Sequence, residues 1–157
     1  MTFNCTRLSN CAWVELRQSS GTEQTISAGD ILKFDSATKR STGGDSVSYN
    51  NTTGVLSLSS SKRYWVQASI SIERSSNNLY QIDWELSDGT ALSASDGSFP
   101  AYNHINRLST FPHINSSFVA SLLIDNPSDS YRLKVTSCPS NSTFLESSHL
   151  FIMELST

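Results

Sequence analysis

The sequence predicts an all-β chain: a single domain built as a sandwich of two antiparallel sheets. Three observations predict it. First, residues 64–72 alternate, with Tyr64, Val66, Ala68, Ile70 and Ile72 on one side and Trp65, Gln67, Ser69 and Ser71 on the other. Successive side chains of a strand point to opposite faces, so period two marks a half-buried strand. Second, short apolar runs are separated by turn clusters about every ten residues, the spacing of sandwiches and barrels. Third, Ser and Thr make up 45 of the 157 residues, and their side chains compete with helical backbone bonds. Seven Phe, five Tyr and three Trp supply too much core material for a disordered chain.

Taken in order, the candidate strands are Ala12–Arg17, Ile31–Phe34, Ser46–Tyr49, Val55–Leu58, Arg63–Glu73, Leu79–Leu86, Phe118–Asp125, Tyr131–Thr136 and His149–Leu155. Turn chemistry separates them. Gly43-Gly44-Asp45 precedes the third, and Asn51-Thr52-Thr53-Gly54 separates the third from the fourth. In that turn an Asn can bond its own backbone and Gly can take a positive φ. The Ser-rich corner Ser59–Lys62 leads into the long strand, and Ser75–Asn78, Asp88-Gly89, Asp125–Ser128 and Cys138–Asn141 separate later ones. Residues 96–112 carry two Pro and a Gly and read as the longest loop, with one short strand near Tyr102.

The strands sort into two kinds. Tyr80, Ile82, Trp84 and Leu86 oppose Gln81, Asp83 and Glu85, and Tyr131, Leu133 and Val135 oppose Arg132, Lys134 and Thr136. These have one face in the core and one in water. Residues 118–124 and 150–153 are apolar on both sides, and 63–73 is intermediate because Trp65 interrupts its polar face. A strand buried on both faces needs a second covering surface. In a small domain without helices, another copy of the chain is the simplest cover.

Composition excludes several function classes. A net charge of −3 and no basic cluster argue against nucleic acid. No apolar run approaches the ~20 residues of a membrane helix. The start, MTFNCTRLSNCAW, lacks a charged region followed by an apolar one, so assembly in a cytoplasm is expected. Cys5, Cys11 and Cys138 are odd in number and lack zinc-site pairing, which favours plain thiols. The Asn-X-Ser/Thr triplets at Asn4, Asn50, Asn51, Asn115 and Asn141 read as chance matches in a Ser/Thr-rich chain.

Catalytic patterns are equally thin. Asp83 and Glu85 share a strand face and could mimic a glycosidase carboxylate pair, but a solvated strand face is the expectation. His104 and His113 share the long loop and could serve a metal or a carbohydrate, and His149 could hold a metal with its symmetry copies were it near a threefold axis, although surface or capping roles are expected for all three. Asp125, Asn126 and Asp129 lack the Gly and bidentate Glu of a calcium loop. Phe99, Tyr102 and Phe111, with Asn103, Asn106 and Arg107, could build a sugar site, though aromatics there also pin a long loop. No enzyme activity, cofactor or metal is expected.

The stretch YNNTTGVLSLSSSKRYWVQASISI, the closing ESSHLFIMEL, and SSFVASLLID with DSYRLKVTS between them carry a resemblance. Over about residues 45–157 the chain resembles the jelly roll shared by tumour necrosis factor and the complement globular head, especially its versions in bacteriophage virions. The corner departs from the usual Gly-Lys-Tyr form, reading Ser61-Lys62-Arg63-Tyr64. The resemblance implies a homotrimer whose inner sheet, with the first, third, sixth and last strands, faces the axis. Trp65, Phe118, Leu122, Phe151 and Met153 are then the expected trimer interface. Residues 1–40 would be an N-terminal arm with the first strands, serving attachment or edge, and residues 41–157 the jelly roll. Phe3, Leu8 and Trp13 would contact the capsid or a neighbour.

The resulting expectation is a virion structural protein on the capsid surface. It would be a trimeric decoration, or cement, protein whose partner is the major capsid protein. The alternative is the receptor-binding tip of a phage tail or head fibre, recognising host surface glycan. A cytokine-like or complement-like ligand is a third, weaker reading.

Overall fold

A computed structural model of the chain describes residues 13–19, 21–40, 46–73, 81–90, 92, 98–100, 116–125, 127, 129–138 and 142–155; of 36–40, 98–100 and 116–121 the backbone alone is described. The strands are β1 (Trp13–Arg17), β2 (Gln24–Ile26), β3 (Ser36–Arg40), β4 (Val47–Asn50), β5 (Val55–Leu58), β6 (Arg63–Glu73), β7 (Gln81–Leu86), β8 (Ser98–Pro100), β9 (Ser116–Asp125), β10 (Ser130–Ser137), β11 (Ser142–Phe144) and β12 (His149–Leu155). They form two antiparallel sheets. The larger has eight strands, the smaller four in the order β4-β5-β10-β7.

The long alternating run sits at the centre of the larger sheet. From Arg63 to Ile72 β6 pairs β9, with Arg63 opposite Asp125 and Ile72 opposite Ser116. Its other edge is shared. Arg63–Ser69 pair β12, and Ile72 and Glu73 pair β11. Ser148 seals the junction: its hydroxyl accepts the Ser71 N–H at 2.8 Å and donates to the Ser71 carbonyl at 3.2 Å. Ser148, just before the last strand, therefore stands in for one ladder step, keeping buried backbone groups bonded. Beyond β12 lie β1 and then β3.

Parity follows the sequence pattern. Tyr64, Val66, Ala68, Ile70 and Ile72 are all buried between the sheets, while Trp65, Gln67 and Ser69 lie on the outer side. From the smaller sheet Leu56, Ile82, Trp84, Leu133 and Val135 complete the core. The hairpin and corner behave as scaffold: β5 belongs to the smaller sheet, and four residues later the chain enters β6 in the larger. The β4–β5 turn closes with Gly54 N–H on the Asn50 carbonyl, and Asn50 Oδ1 accepts the N–H groups of Thr52 and Thr53. At the corner Ser61 adopts φ 64°, a left-handed conformation more natural to glycine.

One expectation changes. The segment 31–34 is not a strand; only Ile31 forms a bridge, to Lys134. This stretch crosses between sheets. β5 pairs only Ser130 and Tyr131 of β10, and the segment takes over the next part of that edge, with Leu32 N–H on the Leu133 carbonyl and Gly29 N–H on that of Val135. A chain that must leave β2, fill this edge and return to β3 cannot stay extended. The core also draws on residues before 41. Val14, Leu16, Ile26, Leu32 and Phe34 are buried in the same cluster as Tyr64 and Ile152. Phe34 packs edge-on against Phe144, with ring centroids 5.4 Å apart. The sandwich therefore includes residues from Trp13 onward. The short strand expected near Tyr102 falls outside the described residues; Ser98–Pro100 pairs β9 instead.

Candidate functional site

Directly opposed residues of antiparallel strands share a face. Trp65 lies opposite Leu123 of β9 and Met153 of β12, and Met153 lies opposite Trp13 of β1. Leu123, Trp65, Met153 and Trp13 therefore form one row across four strands, on the side away from the core. In the next row Phe151 stands between Gln67 and Glu15. Its ring stacks on Trp13, with centroids 6.0 Å apart and planes at 29°, and meets Trp65 edge-on at 6.3 Å and 71°. Leu123 is 37% exposed, and Trp13, Trp65, Phe151 and Met153 are half-buried. Among the described residues, Trp13, Trp65 and Phe151 cover one another.

Polar groups edge this belt. Arg63 donates to Asp125 at 2.6 Å below it, and Arg17 to Glu15 at 2.9 Å beside it. His149 lies opposite Ser69 and Arg17 at the upper margin. At the lower end Glu154 anchors β12 to the corner, accepting from Lys62 Nζ at 2.9 Å and Ser46 Oγ at 2.6 Å. Partial desolvation would raise the Glu154 carboxyl, but the bonds from Ser46 and Lys62 outweigh it and hold it below its ordinary value. Tyr64 donates to the Ser46 carbonyl beneath, at 3.1 Å.

The smaller sheet presents the opposite chemistry. Glu85 is buried, accepting from Arg132 Nε at 2.6 Å and Lys134 Nζ at 3.1 Å, while Asp83 accepts from Thr136 Oγ1 at 2.6 Å and Gln81 Nε2 at 2.8 Å. The face expected to be solvated is thus a bonded ladder, with Glu85 covered by its cationic partners. These carboxylates hold strands together. Beside them, a shallow groove runs along β4 and β5, lined by Ser48, Tyr49, Asn50, Asn51, Thr53, Val55 and Ser57.

Other sequence candidates scatter. Leu122 is fully buried opposite Val66, inside a single chain's core, and so has no surface to offer a trimer axis. Phe118 lies opposite Ile70 in the register, and its side chain is outside the description. Trp65, Phe151 and Met153 do come together, and Trp13, expected at a capsid or neighbour contact, joins them. Phe3, Leu8, His104, His113, Tyr102 and Phe111 lie outside the described residues. Asp125 of the calcium-like triplet is bound to Arg63, and Cys138 is a half-buried free thiol, pushed up by burial and by Asp30. Among the described residues no group of three His, Cys, Asp or Glu could hold a metal. The signal for Trp13 was present: in WVELR, Trp13, Glu15 and Arg17 alternate with buried Val14 and Leu16. What parity could not give was its register beside Met153.

No family model matches the chain, and no curated protein matches it. Among solved structures it is similar to Eiger TNF from S. frugiperda, at 13% identity over 94% of both chains with a TM-score of 0.55. At that identity the likeness speaks to the fold: a TNF-like β-sandwich of the jelly-roll kind.

Proposed function

We propose that the chain is a non-enzymatic virion structural protein, a homotrimeric decoration protein that binds the outside of a bacteriophage capsid and stabilises it. The observation that carries self-association is the aromatic row Trp13, Trp65, Met153 and Leu123 on the outer side of a TNF-like sandwich. An apolar belt with a polar margin has the anatomy of a protein interface rather than of free surface. The virion setting rests on the sequence resemblance to phage jelly rolls. A cement protein adds modest contacts across capsomer boundaries, and a trimer makes those contacts multivalent.

The hydroxyl- and amide-lined groove on β4 and β5 favours a second reading, a fibre tip that holds host surface glycan. One experiment separates the two. The purified chain is sized by light scattering and mixed with capsids stripped of it. A trimer that rebinds shells and raises their heat resistance supports decoration. A trimer that ignores shells and retains host glycans supports the tip. A monomer at every concentration rejects both.

A further inference from the structure

We infer that the hollow between the β1–β2 turn and the stretch entering β3 binds an aliphatic primary ammonium, as carried by a diamine or a lysine side chain. The inference does not rest on the self-association reading. The path of the chain builds the hollow. Gln18 follows β1, Thr22 and Glu23 lead into β2, which Gln24 opens, and Lys33 and Asp35 belong to the stretch that returns to β3; together they line about 380 Å³. The Asp35 N–H donates to the Arg17 carbonyl at 3.1 Å, and Asp35 Oδ1 accepts the Ser19 N–H at 2.7 Å, so the two arms are clamped. Thr22 Oγ1 adds a bond to Asp35 Oδ2 at 2.7 Å.

Two glutamines share the wall and differ in one respect. Both ends of Gln24 are used: its Nε2 donates to the Ile31 carbonyl and its Oε1 accepts the Lys33 N–H. Gln18 uses only its nitrogen, which donates to the Thr22 carbonyl and to Thr22 Oγ1. Gln18 is 5% exposed, and its Oε1 is buried without a hydrogen-bond partner. Flipping the amide is no remedy, because its oxygen would then face the Thr22 carbonyl and two acceptors would meet. A buried acceptor left unpaired is costly, so a donor that reaches Gln18 Oε1 is held there. Thr22 and Glu23 are exposed, and the ligand enters by moving their turn off Gln18.

The neighbouring groups select the donor. Glu23 and Asp35 set two carboxylates against one ammonium, Lys33, so the hollow is net negative. Desolvation would raise the Asp35 carboxyl, but the bonds from Thr22 and Ser19 outweigh it and hold it below its ordinary value. Gln18 Oε1, Glu23 and Asp35 offer three acceptors to the three N–H donors of a primary ammonium. A divalent cation asks for about six oxygen ligands, and among the described residues no group of three His, Cys, Asp or Glu gathers to begin such a shell. None of the described lining residues is aromatic, so a sugar ring has no face to stack on.

The test titrates the full isotope-labelled chain with 1,4-diaminobutane and follows the Gln18 side-chain amide by NMR, its signals assigned through Gln18→Met. Saturable shifts are expected, with the dissociation constant raised about tenfold in Glu23→Gln. Glu23 is exposed, so that variant tests binding rather than folding. Nα-acetyllysine amide presents the same ammonium on a side chain. Tighter binding than the diamine points to a lysine of another chain, weaker binding points to a free diamine, and either supports the inference. Tetramethylammonium carries the charge without N–H donors and is expected to leave the amide unmoved. If it shifts the amide as far as the diamine does, or if calcium binds there more tightly, the inference falls. An amide that no probe moves means that water serves the oxygen, which overturns it as well.

Discussion

Gly54 occupies a position that no side chain fits. Its φ is +73°, and a Cβ there would sit 2.6 Å from Ile31 Cγ2 and 2.9 Å from the Leu32 carbonyl oxygen. Gly54→Ala combines left-handed strain with a clash against the segment that bridges the sheets. A loss of about 2–4 kcal/mol is expected, read as a lower urea midpoint at unchanged slope. Tyr49 acts on the same segment. Its hydroxyl accepts the Phe34 N–H at 3.0 Å, and burial pushes its pKa from 10.0 up to about 12, the Phe34 bond opposing the shift. The folded pKa lies above the unfolded one, so this contribution is complete below pH 10 and disappears as pH rises towards 12. Tyr49→Phe should cost about 1–2 kcal/mol at neutral pH by orphaning that N–H. The gap between the two proteins should then close through the alkaline range, which urea midpoints at stepped pH would reveal. A gap of constant size would mean the phenol is not the titrating group. Gly54 and its turn were legible in the sequence; the hold of Tyr49 on Phe34 was not, because it joins residues fifteen apart across the fold.

Among strands, legibility followed alternation. β5, β6 and β12 match their sequence bounds because apolar and polar residues alternate, or apolar ones persist, over their whole length. β2 and β11 are three residues each and pair each other, with Thr25 opposite Thr143. Segments so short and so rich in Ser and Thr carry no period to count, and tertiary pairing decides them. The parity of β9 was ambiguous for a related reason: with Leu122, Leu123 and Ile124 all apolar, only the register with Val66, Trp65 and Tyr64 decides which face is inward. The Ser148 junction is the point where pairing of β6 passes from β12 to β11, so it tests this account of the larger sheet. Ser148→Ala removes the acceptor of a buried N–H, and about 1–3 kcal/mol should be lost. Hydrogen exchange at Ser71 should rise more than at Val66, deep in the β12-paired stretch. Equal protection at both would mean the hydroxyl is incidental.

At the scale of the molecule, the two outer faces differ in kind. The smaller sheet binds its charges to one another across β7 and β10, and the larger carries an aromatic belt whose rings, among the described residues, lie against one another. The sequence already separated singly exposed from doubly apolar strands, and the sheets group them the same way. What it did not reveal was which apolar residue of each pair faces out, and that difference gives the sharpest prediction. Phe151 and Leu122 were both expected at one interface, yet Phe151 is on the outer row and Leu122 in the core. Phe151→Asp should leave the single-chain sandwich folded, because the charge enters the outer row and not the core, and on the proposed self-association it should lower the oligomeric mass. Leu122→Ala should instead cost about 2–5 kcal/mol of fold stability through a core cavity. Association that excludes unfolded chains also makes the melting temperature rise with protein concentration. That rise should be present in wild type and vanish in Phe151→Asp, and it should persist in 1 M salt, where exposed ion pairs are screened within about 3 Å. A concentration-independent melt in wild type would mean that the belt is not a meeting surface for copies of this chain.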